Sequence, residues 1–143
     1  MNILLVEDNE GDIELTERSF KQGNLSATLS VTHDGVEAIE YLSRQGKFRD
    51  AVTPDLVLLD LNMPRMGGQR FLEIVKQDEK LKSIPVIVLT SSSAPKDIRE
   101  CYERYANCYI LKPFDPGKFM DVIKQVEDFW ANLAQLPGNA AST

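Results

Sequence analysis

Histidine and tryptophan each occur once in the 143 residues, cysteine occurs twice, and no apolar run approaches the roughly 20 residues of a membrane span. Cys101 and Cys108 stand seven apart with no histidine nearby, so neither the spacing nor the ligand types of a zinc site are present. Both are expected to act as small buried hydrophobes in a reducing compartment, Cys101 on a helix face and Cys108 in a strand. Basic residues are in deficit, with 16 Lys and Arg against 22 Asp and Glu. The resulting net charge of −6 argues against a surface that neutralises nucleic-acid phosphates. The opening Met1-Asn2-Ile3-Leu4 lacks the basic residues and long apolar stretch of a signal peptide, and the chain turns acidic by Glu7. A cytoplasmic location is expected, with neither nucleic acid nor membrane as a partner. Repeats and low-complexity tracts are also absent, which points to an ordinary globular chain.

A chain of this length hides roughly 70% of its unfolded surface, enough for one full core. Residues 1–136 are expected to form the domain, with an extended last helix, and 137–143 a small, polar, flexible tail; a further output domain has no room. Four short apolar runs read as buried strands: Ile3 to Val6, Leu56 to Leu59, Val86 to Leu89 and Cys108 to Leu111, with a weaker fifth at Ala27 to Thr32. Helical spacing lies between them, at Ile13, Thr16 and Phe20, at Val36, Ile39 and Leu42, at Phe71, Leu72 and Val75, and at Ile98, Cys101, Tyr102 and Tyr105. Strict alternation of strand and helix implies right-handed crossovers and a doubly wound α/β fold, a parallel sheet covered on both faces. Ligands of such sheets bind at the carboxyl ends of the strands.

Strand one ends in Glu7-Asp8, strand three in Asp60, strand four in Thr90 and strand five in Lys112-Pro113. Each has a structural role open to it singly, as a helix cap, a turn or a solvated lysine. Together they place three carboxylates within a few ångströms, a cluster that is costly unless protonated or neutralised by a cation. Hard oxygen ligands with room for water and phosphate suit Mg2+, with Asp8 and Asp60 as direct ligands and Glu7 acting through water. Asp60 is then placed to attack a phosphoryl donor, with Lys112 and the Thr90 hydroxyl meeting the oxygens on which charge spreads. Gly67 and Gly68, after Met63-Pro64, are expected to turn the loop into the next helix.

The segments Leu4-Leu5-Val6-Glu7-Asp8-Asn9, Leu58-Leu59-Asp60-Leu61-Asn62-Met63-Pro64, Gly68, Val88-Leu89-Thr90-Ser91 and Lys112-Pro113-Phe114 resemble the response-regulator receiver domain of two-component signalling. The separations match as well, thirty residues from Asp60 to Thr90 and twenty-two from there to Lys112. The resemblance covers nearly the whole chain. It implies a flavodoxin-like (βα)5 fold with strand order 2-1-3-4-5 and transfer of a phosphoryl group to Asp60 from a sensor histidine kinase. It also implies a metal shell completed by the backbone carbonyl of Asn62. The Asn62 side chain and Ser92 match positions that tune hydrolysis. Tyr109 matches an aromatic switch that turns inward when Thr90 moves toward the phosphate.

Apolar residues at 119, 122, 123, 126, 129, 130 and 133 continue as an unbroken helical stripe. Its first half is expected on the sheet, and its second half, with Phe129, Trp130 and Leu133, as a partner surface or homodimer seam. That end, the loop Gly46-Lys47-Phe48-Arg49-Asp50 and the segment Ala106-Asn107-Cys108-Tyr109 resemble stand-alone receivers that partner bacterial and cyanobacterial phytochromes and dimerise through the last helix region.

Four other readings compete. A flavin module needs a Gly, Ser and Thr-rich phosphate loop after strand one, where Glu7-Asp8 would repel the phosphate. An aspartyl phosphatase needs a second carboxylate two residues after Asp60, where Asn62 stands. A phosphorylation-independent scaffold would not need the intact set, and a phosphate sink in a phosphorelay would use it without an output. The lone His33 reads as a surface loop residue.

Overall fold

The computed structural model describes residues 1–23 and 27–137. Five parallel strands, β1 (Asn2–Val6), β2 (Thr28–Thr32), β3 (Leu56–Leu59), β4 (Val86–Thr90) and β5 (Cys108–Leu111), form one sheet in the order β2-β1-β3-β4-β5. The helices are α1 (Glu10–Gln22), α2 (Gly35–Leu42), α3 (Gly68–Gln77), α4 (Pro95–Glu103) and α5 (Pro116–Asp128). Of the flexible tail expected over 137–143, all but Pro137 lies outside the described residues. None of the described helices is long and apolar enough to cross a membrane.

The continuous apolar strands follow from burial on both faces. Alternate residues of the central strands, Leu4, Val6, Val57, Leu59, Val86 and Val88, pack against α2, α3 and α4 through Ala38, Leu42, Phe71, Leu72, Val75 and Cys101. The residues between them, Ile3, Leu5, Leu56, Leu58, Ile87 and Leu89, pack against α1 and α5 through Ile13, Phe20, Phe119, Ile123 and Val126. Asn9 caps α1 by accepting from the Asp12 amide at 2.9 Å, and Asp34 caps α2 by accepting from the Glu37 amide at 2.8 Å.

Four expectations need correction. β5 is an edge strand, so Cys108 is only half-buried and Leu111 is 47% exposed, whereas Cys101 is fully buried. Tyr105 is not on α4: the helix stops at Glu103, and Tyr105 takes a left-handed φ of 69° at its end and is 75% exposed. The reversal is closed by the Ala106 amide donating to the Cys101 carbonyl at 3.0 Å. The loop after β3 takes its left-handed turn at Arg65 (φ 61°) rather than at a glycine. Gly68 is there for a different reason, since a Cβ would sit 2.7 Å from Leu61 Cα and collide with the Asp60 carbonyl. Finally, the apolar stripe of the last helix is not one α-helix: Phe129–Leu133 is a wider π turn. The change of pitch sends Trp130 back against the α1–α5 side of the core and leaves Phe129 48% and Leu133 71% exposed.

Candidate functional site

Parallel order brings the carboxyl ends of β1, β3, β4 and β5 to one edge, and the residues that follow them line one crevice. Its walls are Asp8, Asn9, Asp12, Asp60, Asn62, Ser91, Lys112, Pro113 and Phe114, around a cavity of about 380 Å³. A larger hollow of about 490 Å³, between Leu42, Arg44 and Leu81, gathers no such cluster.

One carboxylate oxygen each from Glu7, Asp8 and Asp60 lies within 4.8 Å of the others. Glu7 and Asp60 are buried at 2% and 7% exposure, while Asp8 faces solvent. An all-oxygen set of one exposed and two buried carboxylates fits a hard divalent cation, with the open side free for water. Burial, opposed by Lys112 and reinforced by Asp60, pushes the Glu7 carboxyl from 4.5 up to about 7. Lys112 is the cation of the site: its Nζ donates to Glu7 Oε1, lies 2.9 Å from Asp12 Oδ2 and 3.7 Å from Asp60 Oδ2. Burial works against the Lys112 charge, yet the Glu7 and Asp12 carboxylates outweigh it and hold the ammonium above its ordinary range.

Thr90 is fully buried just below the crevice, and the Ser92 amide points to its hydroxyl at 3.5 Å. Tyr109 packs inward against the α2–α4 side of the core, and its hydroxyl donates to the Ser92 carbonyl at 2.8 Å. The Ser92 side chain turns away from the crevice: Oγ donates to Asp97 Oδ2 at 2.6 Å, and Asp97 Oδ1 accepts from Gln69 Nε2 at 3.3 Å. Ser91, not Ser92, faces the cavity. Phe129, Trp130 and Leu133 take no part in the crevice and belong to the turn after α5. Sequence reasoning missed Asp12 and Ser91. Asp12 reads as an acidic residue in a first helical turn, where it complements the helix dipole, and only the fold reveals its contact with Lys112.

The family model for the response regulator receiver domain matches residues 3–124. The chain belongs to the response regulator receiver family. As a receiver it is a phosphoacceptor switch of two-component signalling. The response regulator Rcp1 of Synechocystis sp. (strain ATCC 27184 / PCC 6803 / Kazusa) is 36% identical over 135 residues, covering 94% of this receiver and 92% of Rcp1. The phosphorylated cyanobacterial phytochrome response regulator RcpA superposes with a TM-score of 0.92 at 39% identity, covering 95% of this chain and 97% of that one. The Mn2+-bound form of Rcp1 superposes with a TM-score of 0.90 at 36% identity, covering 95% and 98%. The doubly wound parallel sheet read from the alternating strands and helices, and the flavodoxin-like strand order implied by the resemblance, are those of this receiver.

Proposed function

We propose that this receiver is a stand-alone cytoplasmic response regulator that takes a phosphoryl group on Asp60 from the phosphohistidine of a sensor kinase, and that the kinase is a phytochrome. The observation that carries this is Asp60 itself, a residue 7% exposed that still lines the crevice, its carboxylate grouped with those of Glu7 and Asp8 and 3.7 Å from Lys112 Nζ. The phytochrome assignment rests on the likeness to RcpA and Rcp1 over nearly the full length of each.

Glu7, Asp8, Asp60 and the backbone carbonyl of Asn62 are the groups that would hold Mg2+. When bound, the ion supplies positive charge to the carboxylates and to the phosphoryl oxygens. An Asp60 oxygen attacks phosphorus, the bond from phosphorus to the imidazole nitrogen breaks, and its electron pair leaves with the histidine. Lys112 and Thr90 meet the oxygens of the transferred group. Each such charged hydrogen bond contributes roughly 1.5–3 kcal/mol, against about 5.5 kcal/mol for a shift from 1:99 to 99:1. Partner binding supplies the remainder. Tyr109, bonded to the Ser92 carbonyl, reports the movement of Thr90. The chemistry stops at the receiver's own phosphorylation and dephosphorylation: Asn62, which lines the cavity, and Ser92 tune hydrolysis, and no carboxylate stands at 62 to act as acid and base. The exposed Phe129 and Leu133, beside Trp130, form the seam of a homodimer; nucleic acid is not a partner.

The test is incubation with acetyl phosphate and Mg2+, reading intact mass and oligomeric size. Wild type gains one phosphoryl group and Asp60→Asn gains none. No gain in wild type, or an equal gain in the variant, refutes the reading.

A further inference from the structure

The loop joining β3 to α3 carries Asp60 and Asn62 at its crevice side and is held from behind by a residue pair with no place in the phosphoryl chemistry. Arg65 Nε donates to Asp34 Oδ2 at 2.8 Å, and its Nη2 donates to Asp34 Oδ1 at 3.1 Å. Asp34 is 6% exposed and lies at the N-terminus of α2, where Oδ1 also accepts from the Glu37 amide. A second tether runs beside the first, the Gly35 amide donating to the Met66 carbonyl at 3.1 Å. The packing there is close enough that a Cβ on Gly35 would sit 2.7 Å from Met66 Cγ and 2.8 Å from the Met66 carbonyl oxygen.

Three features show that this contact does more than cap a helix. Capping needs one side-chain oxygen and no cation, and asparagine does it as well as aspartate. The pair is a planar fork on a carboxylate, the geometry that fixes direction as well as distance. Arg65 also adopts a left-handed φ of 61°, a conformation that persists in a non-glycine residue only where the surroundings enforce it. The loop's own hydrogen bonds close it at Gly68 N to Leu61 O (2.9 Å) and Met66 N to Pro64 O (2.7 Å). These shape the loop without orienting it, and among the described contacts the orientation comes from α2.

We propose that Arg65 and Asp34 are positioning residues for the metal site: by fastening the apex of the loop to the start of α2, they hold the Asn62 carbonyl toward Asp60 and Asp8. This inference rests on the metal-dependent reading of the crevice given above. Outer partners of metal ligands set affinity by limiting the geometries the ligands sample, and losing one typically weakens binding by about 10–100-fold.

The experiment uses the full chain as wild type, Arg65→Met, Arg65→Lys, Asp34→Asn and the double variant Arg65→Met/Asp34→Asn. Asp34→Asn keeps the α2 cap and removes the charge partner. Mg2+ binding is titrated by calorimetry, the Mg2+ dependence of phosphorylation by acetyl phosphate is followed in parallel, and thermal unfolding is recorded without Mg2+. Each single loss should weaken Mg2+ binding about tenfold, the low end of the outer-partner range. The double variant should be no worse than either single, and Arg65→Lys should fall between, because an ammonium cannot make the fork. The rate at saturating Mg2+ should be unchanged. Mg2+ affinity equal to wild type in Arg65→Met and Asp34→Asn, with only the melting temperature lowered, overturns the proposal, as do losses that simply add. A wild type that binds Mg2+ but takes no phosphoryl group would refute the proposed function and leave this inference to the calorimetry.

Discussion

Replacing Glu7 by Gln keeps the shape of a side chain that is 2% exposed and removes its titration. In the folded receiver the Glu7 carboxyl is pushed from 4.5 up to about 7, first by burial, with Lys112 pulling down and Asp60 pushing up. A carboxyl raised on folding keeps its proton while the unfolded chain has lost it. Its contribution to stability is therefore complete below pH 4.5 and is lost as pH rises through 7. At 1.36 kcal/mol for each pH unit of displacement, the loss is about 3 kcal/mol. The side chain is almost wholly buried, so solvent screening takes little from that figure.

The assay is urea unfolding of wild type and Glu7→Gln from pH 5 to pH 8 in magnesium-free buffer, taking the difference so that other carboxylates cancel. Wild type should lose about 2–3 kcal/mol relative to the variant across the interval, part of the full loss having already occurred by pH 5. With Mg2+ present the loss should shrink, since a cation among Glu7, Asp8 and Asp60 favours the charged form. If Lys112 governed Glu7 instead, the carboxyl would lie below its ordinary range and wild type would gain on the variant with rising pH. That sign, or two parallel curves, refutes the account of burial outweighing the ion pair.

Two further outcomes follow from single contacts. Tyr109→Phe removes the hydroxyl that donates to the Ser92 carbonyl at 2.8 Å and should cost about 1 kcal/mol in urea unfolding. Glu127 is 3% exposed, neither of its oxygens has a hydrogen-bond partner among the described residues, and burial, then Asp128, raises its carboxyl. Glu127→Met should stabilise the receiver at pH 8 by about 1–2 kcal/mol, and by less at pH 4, where the wild-type acid is neutral; equal melting temperatures at pH 8 refute it.

The crevice groups were legible because each is adjacent in sequence to an apolar strand end, and parallel topology brings those ends together. Asp60 after Leu56–Leu59 and Lys112 after Cys108–Leu111 carry their address with them. Where the reading failed, the signal was the same but the context differed. Cys108 and Leu111 look like Leu56 and Leu59 in sequence, yet β5 has a neighbour on one side only, so its residues stay half-exposed. Tyr105 falls at the helical spacing of α4, but the chain has already reversed after Glu103. The stripe from Phe119 to Leu133 keeps its residue spacing through a change of pitch that no spacing records.

The contacts that hold the loops are of another kind, because most of their partners lie in different elements of the fold. Arg65 reaches Asp34, Gln69 reaches Asp97, and Lys76 Nζ donates to the Lys82 and Ile84 carbonyls and to Asn107 Oδ1, at 2.9–3.0 Å. All lie on the side of the sheet covered by α2, α3 and α4, and so does the inward ring of Tyr109. Ser92 joins two of these groups near the crevice, with its carbonyl on Tyr109, its hydroxyl on Asp97, and through Asp97 a link to Gln69 at the start of α3. Displacing the chain after Thr90 toward Asp60 must therefore stretch or carry along three elements at once, β5, α4 and α3. Among the described residues the opposite side, where α1 meets α5, rests mainly on apolar packing, and its polar link to the crevice is Lys112 Nζ on Asp12 of α1. In the switch proposed above, a movement of Thr90 toward Asp60 would therefore be passed through Ser92 to the α3–α4–β5 side.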